Sequence, residues 1–218
     1  MALCGPNRCG CALRSTSLSI SGDGSTTNPW NIESLLGAFE GRFYEFASNA
    51  ERDAQLPPGS VSEGDVAYIR DAPNRLMYYE GTTWLTVSSE PTDWTPSLTG
   101  VTTTSGTLLG RYAFVGMRTI RVVMKFTLGA SSAVTGTAYS SLPWPAAHSV
   151  ELEQGNVTFS DATGARSYGR TAANGNASVI LLPYQVVGIY IAGTVTTANI
   201  PFTWAVNDQI RMDLTYEV

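Results

Sequence analysis

The segment QIRMDLTYEV, residues 209–218, alternates almost without fault. Met212, Leu214, Tyr216 and Val218 fall on one parity, and Arg211, Asp213, Thr215 and Glu217 on the other. Successive side chains of an extended chain point to opposite faces, so this is a strand with one dry face and one wet face. Such a strand cannot stand alone; its dry face must close a core. With a core-forming strand here, any flexible attachment segment is expected at the other end of the sequence. The same period runs through the whole stretch from about residue 101. "TLLGRYAFVG" and "RTIRVVMKFTL" read as a hairpin turning at Gly116, with Ile120, Val122, Met124 and Phe126 facing one way. Further strands are predicted at 133–141, 150–159, 166–172, 177–182, 185–192, 199–204 and 209–217, separated by turns such as "DATGA" and "ANGN". Phe202 and Trp204 share a parity and are expected to point inward. Short strands at this spacing predict a C-terminal antiparallel β-sandwich, jelly-roll-like, over residues 101–218.

Upstream, the pattern is broken into smaller pieces. "TSLSISGDGSTTNPWNIE" reads as a hairpin whose Gly-, Asn- and Pro-rich turn is preferred over a calcium loop at Asp23 and Asn28, because the carboxylate spacing of such loops is absent. Ser48 and Glu51 form a capping box that starts a short helix, and Pro57 and Pro58 stop it. Val66, Tyr68, Leu76, Tyr78 and Trp84 then mark a three-stranded meander, too small to be stable alone. The predicted organisation is an N-terminal attachment segment and hairpin (1–47), a helix and meander (48–88), a linker (89–100) in which Trp94 docks on a neighbour, and the sandwich. The expected fold is mainly β.

Composition narrows the function. The chain has 218 residues with 43% hydrophobic and only 14% charged, against about a quarter charged in ordinary soluble domains. No apolar run approaches the roughly 20 residues needed to span a bilayer, so no membrane insertion is expected. A net charge of −5 without a basic run gives no support for nucleic-acid binding. "MALCGPNRCGCALRS" lacks the parts of a signal peptide, which points to assembly in a cytoplasm. Cys4, Cys9 and Cys11 lie within eight residues, but the only histidine, His148, is distant, so no metal or other cofactor is expected. Burial of these thiols is favoured over a disulfide or cross-link.

No catalytic constellation emerges. His148 has no nucleophile elbow to serve. Glu151, Glu153 and Asp161 are close enough in sequence to suggest a hydrolytic carboxylate pair. A period-two placement of the glutamates on one strand instead gives a solvated face. The chain is therefore read as a non-enzyme. Flat amphipathic side chains offer binding surfaces instead: Tyr139, Trp144, Tyr168, Tyr184 and Tyr190. Tyr168, flanked by Arg166 and Arg170 in "ARSYGRTA", is the most exposed-looking of them. The predicted binding residues are Tyr168, Arg166, Arg170, Tyr139 and Trp144, with core or subunit contact as the competing role for Trp144 and Tyr190.

Several of these stretches also resemble those of a known group. "PFTW", Asp208, Ile210 and the closing "YEV" look like the final strands of a tail-associated β-domain of bacteriophage virions. "GRYAFVGMRTIRVVMKFTLG" and "SLPWPAA" follow in the same order as there. "AERDAQLPPGSVSEGDVAYIRDAPNRLMYYEGTTW" resembles a short module of phage tail and fibre proteins, and "SISGDGSTTNPWNI" resembles a hairpin of similar proteins. The resemblance implies a virion structural protein, usually a homotrimer, assembled in the host cytoplasm. In that setting it is expected to be a minor tail or fibre protein that attaches by its N-terminus to other virion tail or capsid proteins. It would project its C-terminal domain toward a host cell-surface glycan or protein. The alternative is a capsid decoration protein or head fibre with a purely structural role, which the short loops favour. A secreted lectin-like sandwich is disfavoured.

Overall fold

The computed structural model describes residues 18–21, 25, 30–34, 40–187 and 190–218. The expectations for Cys4, Cys9, Cys11, Asp23 and Asn28 lie outside the described residues. The chain divides into two compact units, Met1–Glu90 and Pro91–Val218. It is mainly β: a small mixed sheet with one short helix, then an antiparallel curled sheet.

In the first unit the strands β1 (Leu18–Ser21), β2 (Trp30–Ser34), β3 (Glu40–Phe46), β4 (Val66–Ile69), β5 (Arg75–Tyr79) and β6 (Trp84–Ser89) lie side by side in chain order. β1 and β2 pair antiparallel, as the hairpin pattern predicts. Only β3 and β4 are parallel, and that pairing requires a crossover, which α1 (Asn49–Gln55) supplies. The helix starts where expected. Ser48 Oγ accepts the Glu51 N–H at 3.1 Å, and the Glu51 carboxylate accepts from the Ala47 N–H.

The core of this unit uses the parity opposite to the marker residues. Ala67, Ile69 and Met77 are buried with Tyr44 and Phe46, while Val66, Tyr68, Leu76 and Tyr78 stay half-exposed. Helix α1 covers the core with an arginine: Arg52 is buried, its guanidinium 5.4 Å over the Trp84 ring. The buried Asp65 carboxylate accepts from the backbone N–H groups of Arg42 and Ser62 and from the Arg42 guanidinium. The side-chain bond to Asp65 is the main cause that raises the Arg42 pKa.

The second unit contains β7 (Thr92–Trp94), β8 (Leu98–Thr102), β9 (Thr107–Gly116), β10 (Thr119–Thr127), β11 (Ala133–Ser141), β12 (Asn156–Ser160), β13 (Arg166–Ala173), β14 (Ser178–Val187), β15 (Tyr190–Gly193) and β16 (Gln209–Glu217). Nine of them form one path, β7-β9-β10-β16-β12-β13-β14-β11-β8, and β15 pairs with the far end of β14. The expected linker is thus overturned: residues 92–94 and 98–102 are the two edge strands of the sheet.

That placement dictates the shape of the unit. A flat nine-stranded sheet would hold its edges about 38 Å apart. The connector Thr95-Pro96-Ser97 spans at most about 14 Å from Trp94 to Leu98, so the sheet must curl. The connector touches both sides of the gap. Ser97 exchanges hydrogen bonds with Ser141 on β11, at 2.9 Å each. Pro96 lies against Gly110 on β9, where an added Cβ would come within 2.6 Å of Trp94 and 2.9 Å of Pro96. The result is a curled half-barrel on a single strand path, where two facing sheets were expected.

The curl encloses one core. Ile120, Val122, Met124 and Phe126 stand opposite Tyr216, Leu214, Met212 and Ile210, all buried. Val157 and Phe159 continue these rows, and Val101, Val134, Val179 and Leu181 close them from the other side of the curl. β16 lies in the centre of the sheet between β10 and β12. β10, β11, β13 and β16 fall close to their predicted bounds.

Three other expectations fail. Residues 149–153 are a 3-10 helix, because Thr171 Oγ holds its end by accepting from Gly155 N–H and donating to the Leu152 carbonyl. β14 runs on through Pro183, whose carbonyl accepts from Thr194 N–H. Residues 199–204 form no strand. Trp204 is half-buried there, its Nε1–H donating to the Thr197 carbonyl and its ring edge-on to Phe159 at 5.9 Å.

Two outcomes are expected. Gly110→Val should lower the unfolding free energy by about 1–3 kcal/mol, read from the denaturant midpoint, while Gly136→Ala, with nothing within 4 Å of the new Cβ, should change it by about 0.5 kcal/mol or less. The second concerns Tyr44. Its hydroxyl is buried and has no hydrogen-bond partner among the described residues. Burial, with a smaller push from Asp65, raises its pKa from 10.0 to about 12. The stability linked to the neutral phenol is therefore complete below pH 10 and lost as pH rises toward 12. Spectrophotometric titration of Tyr44→Phe should lose phenolate amplitude near pH 12 and none near pH 10.

Candidate functional site

The inner face of the curl is filled by apolar side chains, and its outer face carries a run of polar, charged and aromatic ones. The period-two pattern that sends Val122, Met124, Met212 and Val157 inward sends their neighbours out. Strand register then aligns those neighbours into rows. One row reads Leu109, Lys125, Arg211, Thr158 and Tyr168 across β9, β10, β16, β12 and β13. The next reads Arg111, Val123, Asp213, Asn156 and Arg170 across the same strands. Arg166 lies two residues before Tyr168 on the same parity of β13, opposite Ser160. Leu109, Val123, Lys125 and Arg211 line an open depression between the rows.

The adjoining strand adds a second aromatic. Gly169 on β13 pairs with Pro183 on β14, so Tyr168 and Tyr184 occupy adjoining outward positions one step further on. Tyr168 is 60% exposed and Tyr184 43%. Gly169 permits this approach of the strands, since a Cβ there would meet the Leu182 carbonyl oxygen at 2.0 Å.

Charge on this face is unevenly compensated. Residues 91–218 carry seven basic and seven acidic side chains, whereas residues 1–90 hold six basic and eleven acidic. The acids near the rows are already engaged. Asp213 takes a two-pronged bond from Arg121, which raises the Arg121 pKa. Asp93 pairs with Arg111 at 2.9 Å, and Glu153 lies 3.6 Å from Arg170. Asp161, at the β12–β13 turn, accepts from the Thr163 N–H, and hydrogen bonds from Thr163 lower its pKa. Lys125 and Arg166 have no ion-pair partner among the described residues. Arg211 bonds only the neutral Gln209 amide. Three cations thus stand uncompensated beside two exposed phenols.

Of the five predicted binding residues, Arg166, Tyr168 and Arg170 come together on the outer face of β13. Tyr139 does not join them. It lies opposite Ile180 and beside a separate depression with Ser97, Thr99 and Asn174, about 13 Å along the strand from the Tyr168 row. Trp144 is 47% exposed in the segment before the 3-10 helix. Its carbonyl accepts from Tyr216 Oη at 2.8 Å, and burial raises the Tyr216 pKa. Lys125 and Arg211 were not singled out from sequence. The only signal for them was outward parity, which becomes informative once the β10–β16–β12 register is known.

His148 is exposed at the start of the 3-10 helix, and Glu151 accepts the Glu217 N–H, so the glutamates do not share a strand face. Among the described residues, no group of three or more His, Cys, Asp or Glu side chains is placed to hold a metal. No family model, curated protein or solved structure matches the chain.

The exposure of Tyr168 predicts a clean separation of roles. Tyr168→Ala should shift stability by about 0.5 kcal/mol or less. Phe159→Ala, nine residues away and fully buried, should cost about 3–5 kcal/mol, with both measured by denaturant unfolding.

Proposed function

We propose that this chain is a structural protein of a bacteriophage virion, a minor tail or fibre component whose C-terminal unit meets the host surface through its outer face. The observation that carries the reading is the filled curl: among the described residues its interior is packed with apolar side chains, while Lys125, Arg166, Arg211, Tyr168 and Tyr184 stand on its outer face. The resemblance of the hairpin, meander and closing strand to those of tail-associated domains supports the same assignment. In this reading the curled sheet works as a jelly-roll-like sandwich within a homotrimer, and residues 1–47 attach it to neighbouring virion proteins. An assembly of three copies supplies burial that the small first unit lacks.

The deciding experiment is location. Antibody-gold labelling of intact particles should place the protein at the tail tip or along fibres, and deletion of residues 1–13 should abolish incorporation while leaving the second unit folded. Labelling spread over the head would support the decoration or head-fibre alternative, and no labelling would reject the virion reading. Sedimentation equilibrium at micromolar concentration should give the mass of three chains; a folded monomer would reject the trimer.

A further inference from the structure

We infer that the outer face of β10, β16, β12, β13 and β14 binds an acidic polysaccharide, a sugar chain carrying repeated carboxylate, sulfate or phosphate groups. The inference deepens the proposed host-surface role and rests on it for its biological setting, but its chemistry is argued from the face alone.

Anionic groups are recognised by cations with no nearer partner, and Lys125 and Arg211 on the adjacent strands β10 and β16, with Arg166 two strands further on β13, are three such cations among the described residues. Pyranose rings present apolar faces that lie against flat aromatic side chains, and Tyr168 and Tyr184 are two exposed ones. Thr158 and Asn156, set between the cations and the tyrosines, add neutral hydrogen-bonding groups of the kind that read hydroxyls. From Lys125 to Tyr184 the row crosses four strand spacings, about 19 Å. That is the reach of an oligosaccharide and not of one sugar. Cations and rings at separate points along such a row suit a ligand in which charge and apolar faces alternate. A nucleic-acid duplex instead presents unbroken charge with its bases stacked inside, and so offers the two tyrosines no ring face to lie against.

The test uses the full chain on immobilised polygalacturonate (carboxylate), heparin (sulfate) and dextran (neutral). Retention on either anionic column, identifying the anion, and none on dextran is the expected result. The Lys125→Ala/Arg166→Ala/Arg211→Ala variant should bind at least about tenfold more weakly. The Tyr168→Ala/Tyr184→Ala variant should also lose affinity, because stacking is part of the site. Arg70→Ala, which removes an exposed cation of the first unit, should bind like the parent.

Equal retention on dextran would overturn the inference, as would unchanged binding by the triple variant. So would displacement by single-stranded DNA that is insensitive to the tyrosines, which would mark the face as a general polyanion binder. A change in the sedimentation mass of the triple variant would show the face to be a contact between copies, and would also overturn it. Particle labelling without glycan binding would sink this inference alone. Glycan binding without incorporation into particles would sink only the virion reading.

Discussion

Three residues, Thr95 to Ser97, join the two edges of a nine-stranded sheet, and the rest of the second unit depends on that short reach. A connector of this length cannot span a flat sheet, so the strands must roll until β9 and β11 approach one another. Rolling converts one apolar face into an enclosed core and the other into a continuous outer surface. Gly110 is part of the same constraint, because Trp94 and Pro96 occupy the space that a side chain would need. Edge strands are places where stray pairing begins; here one is three residues long and the other five, and both run into the connector.

The strands most legible in sequence were those with strict alternation between charged and large apolar residues. β10 and β16 show it in Arg121–Val122–Val123–Met124–Lys125–Phe126 and Ile210–Arg211–Met212–Asp213–Leu214. The failures have specific physical causes. The prolines of "EPTDWTPSLTG" suggested a linker, yet Pro91 lies outside the hydrogen-bonded strands and Pro96 sits in the connector between two edges, where its missing N–H removes nothing from a ladder. Glu151 and Glu153 looked like a strand face because period two is also satisfied by a single turn of 3-10 helix with Leu152 turned inward. In the first unit the bulky Tyr68 and Tyr78 drew attention from Ala67 and Met77, which form the core because the helix packs on their face.

The candidate site was legible only in part, for a related reason. Arg166, Tyr168 and Arg170 are neighbours along one strand, so their common face could be read from parity. Lys125 and Arg211 lie 86 residues apart and meet only through the pairing of β10 with β16. Whether each cation has a partner is likewise a property of the register. Asp213 is claimed by Arg121, and Asp93 by Arg111, through contacts that alternation along a single strand does not reveal.

The central position of β16 has a consequence for how the molecule is made. β10 finds its partner on one side immediately, in the adjoining hairpin, but on the other side only after some 90 further residues; the Arg121–Asp213 bond closes a separation of 92. Until that segment arrives, the sheet exists as two incomplete halves, each with an open edge and the uncovered apolar row Ile120–Val122–Met124–Phe126 or Val157–Phe159. Closing so long a loop is entropically costly and is rewarded only when the whole ladder forms, which makes folding late and all-or-none. A nascent or interrupted chain is then the sticky species, and newly made copies need to be kept apart until their centres are filled.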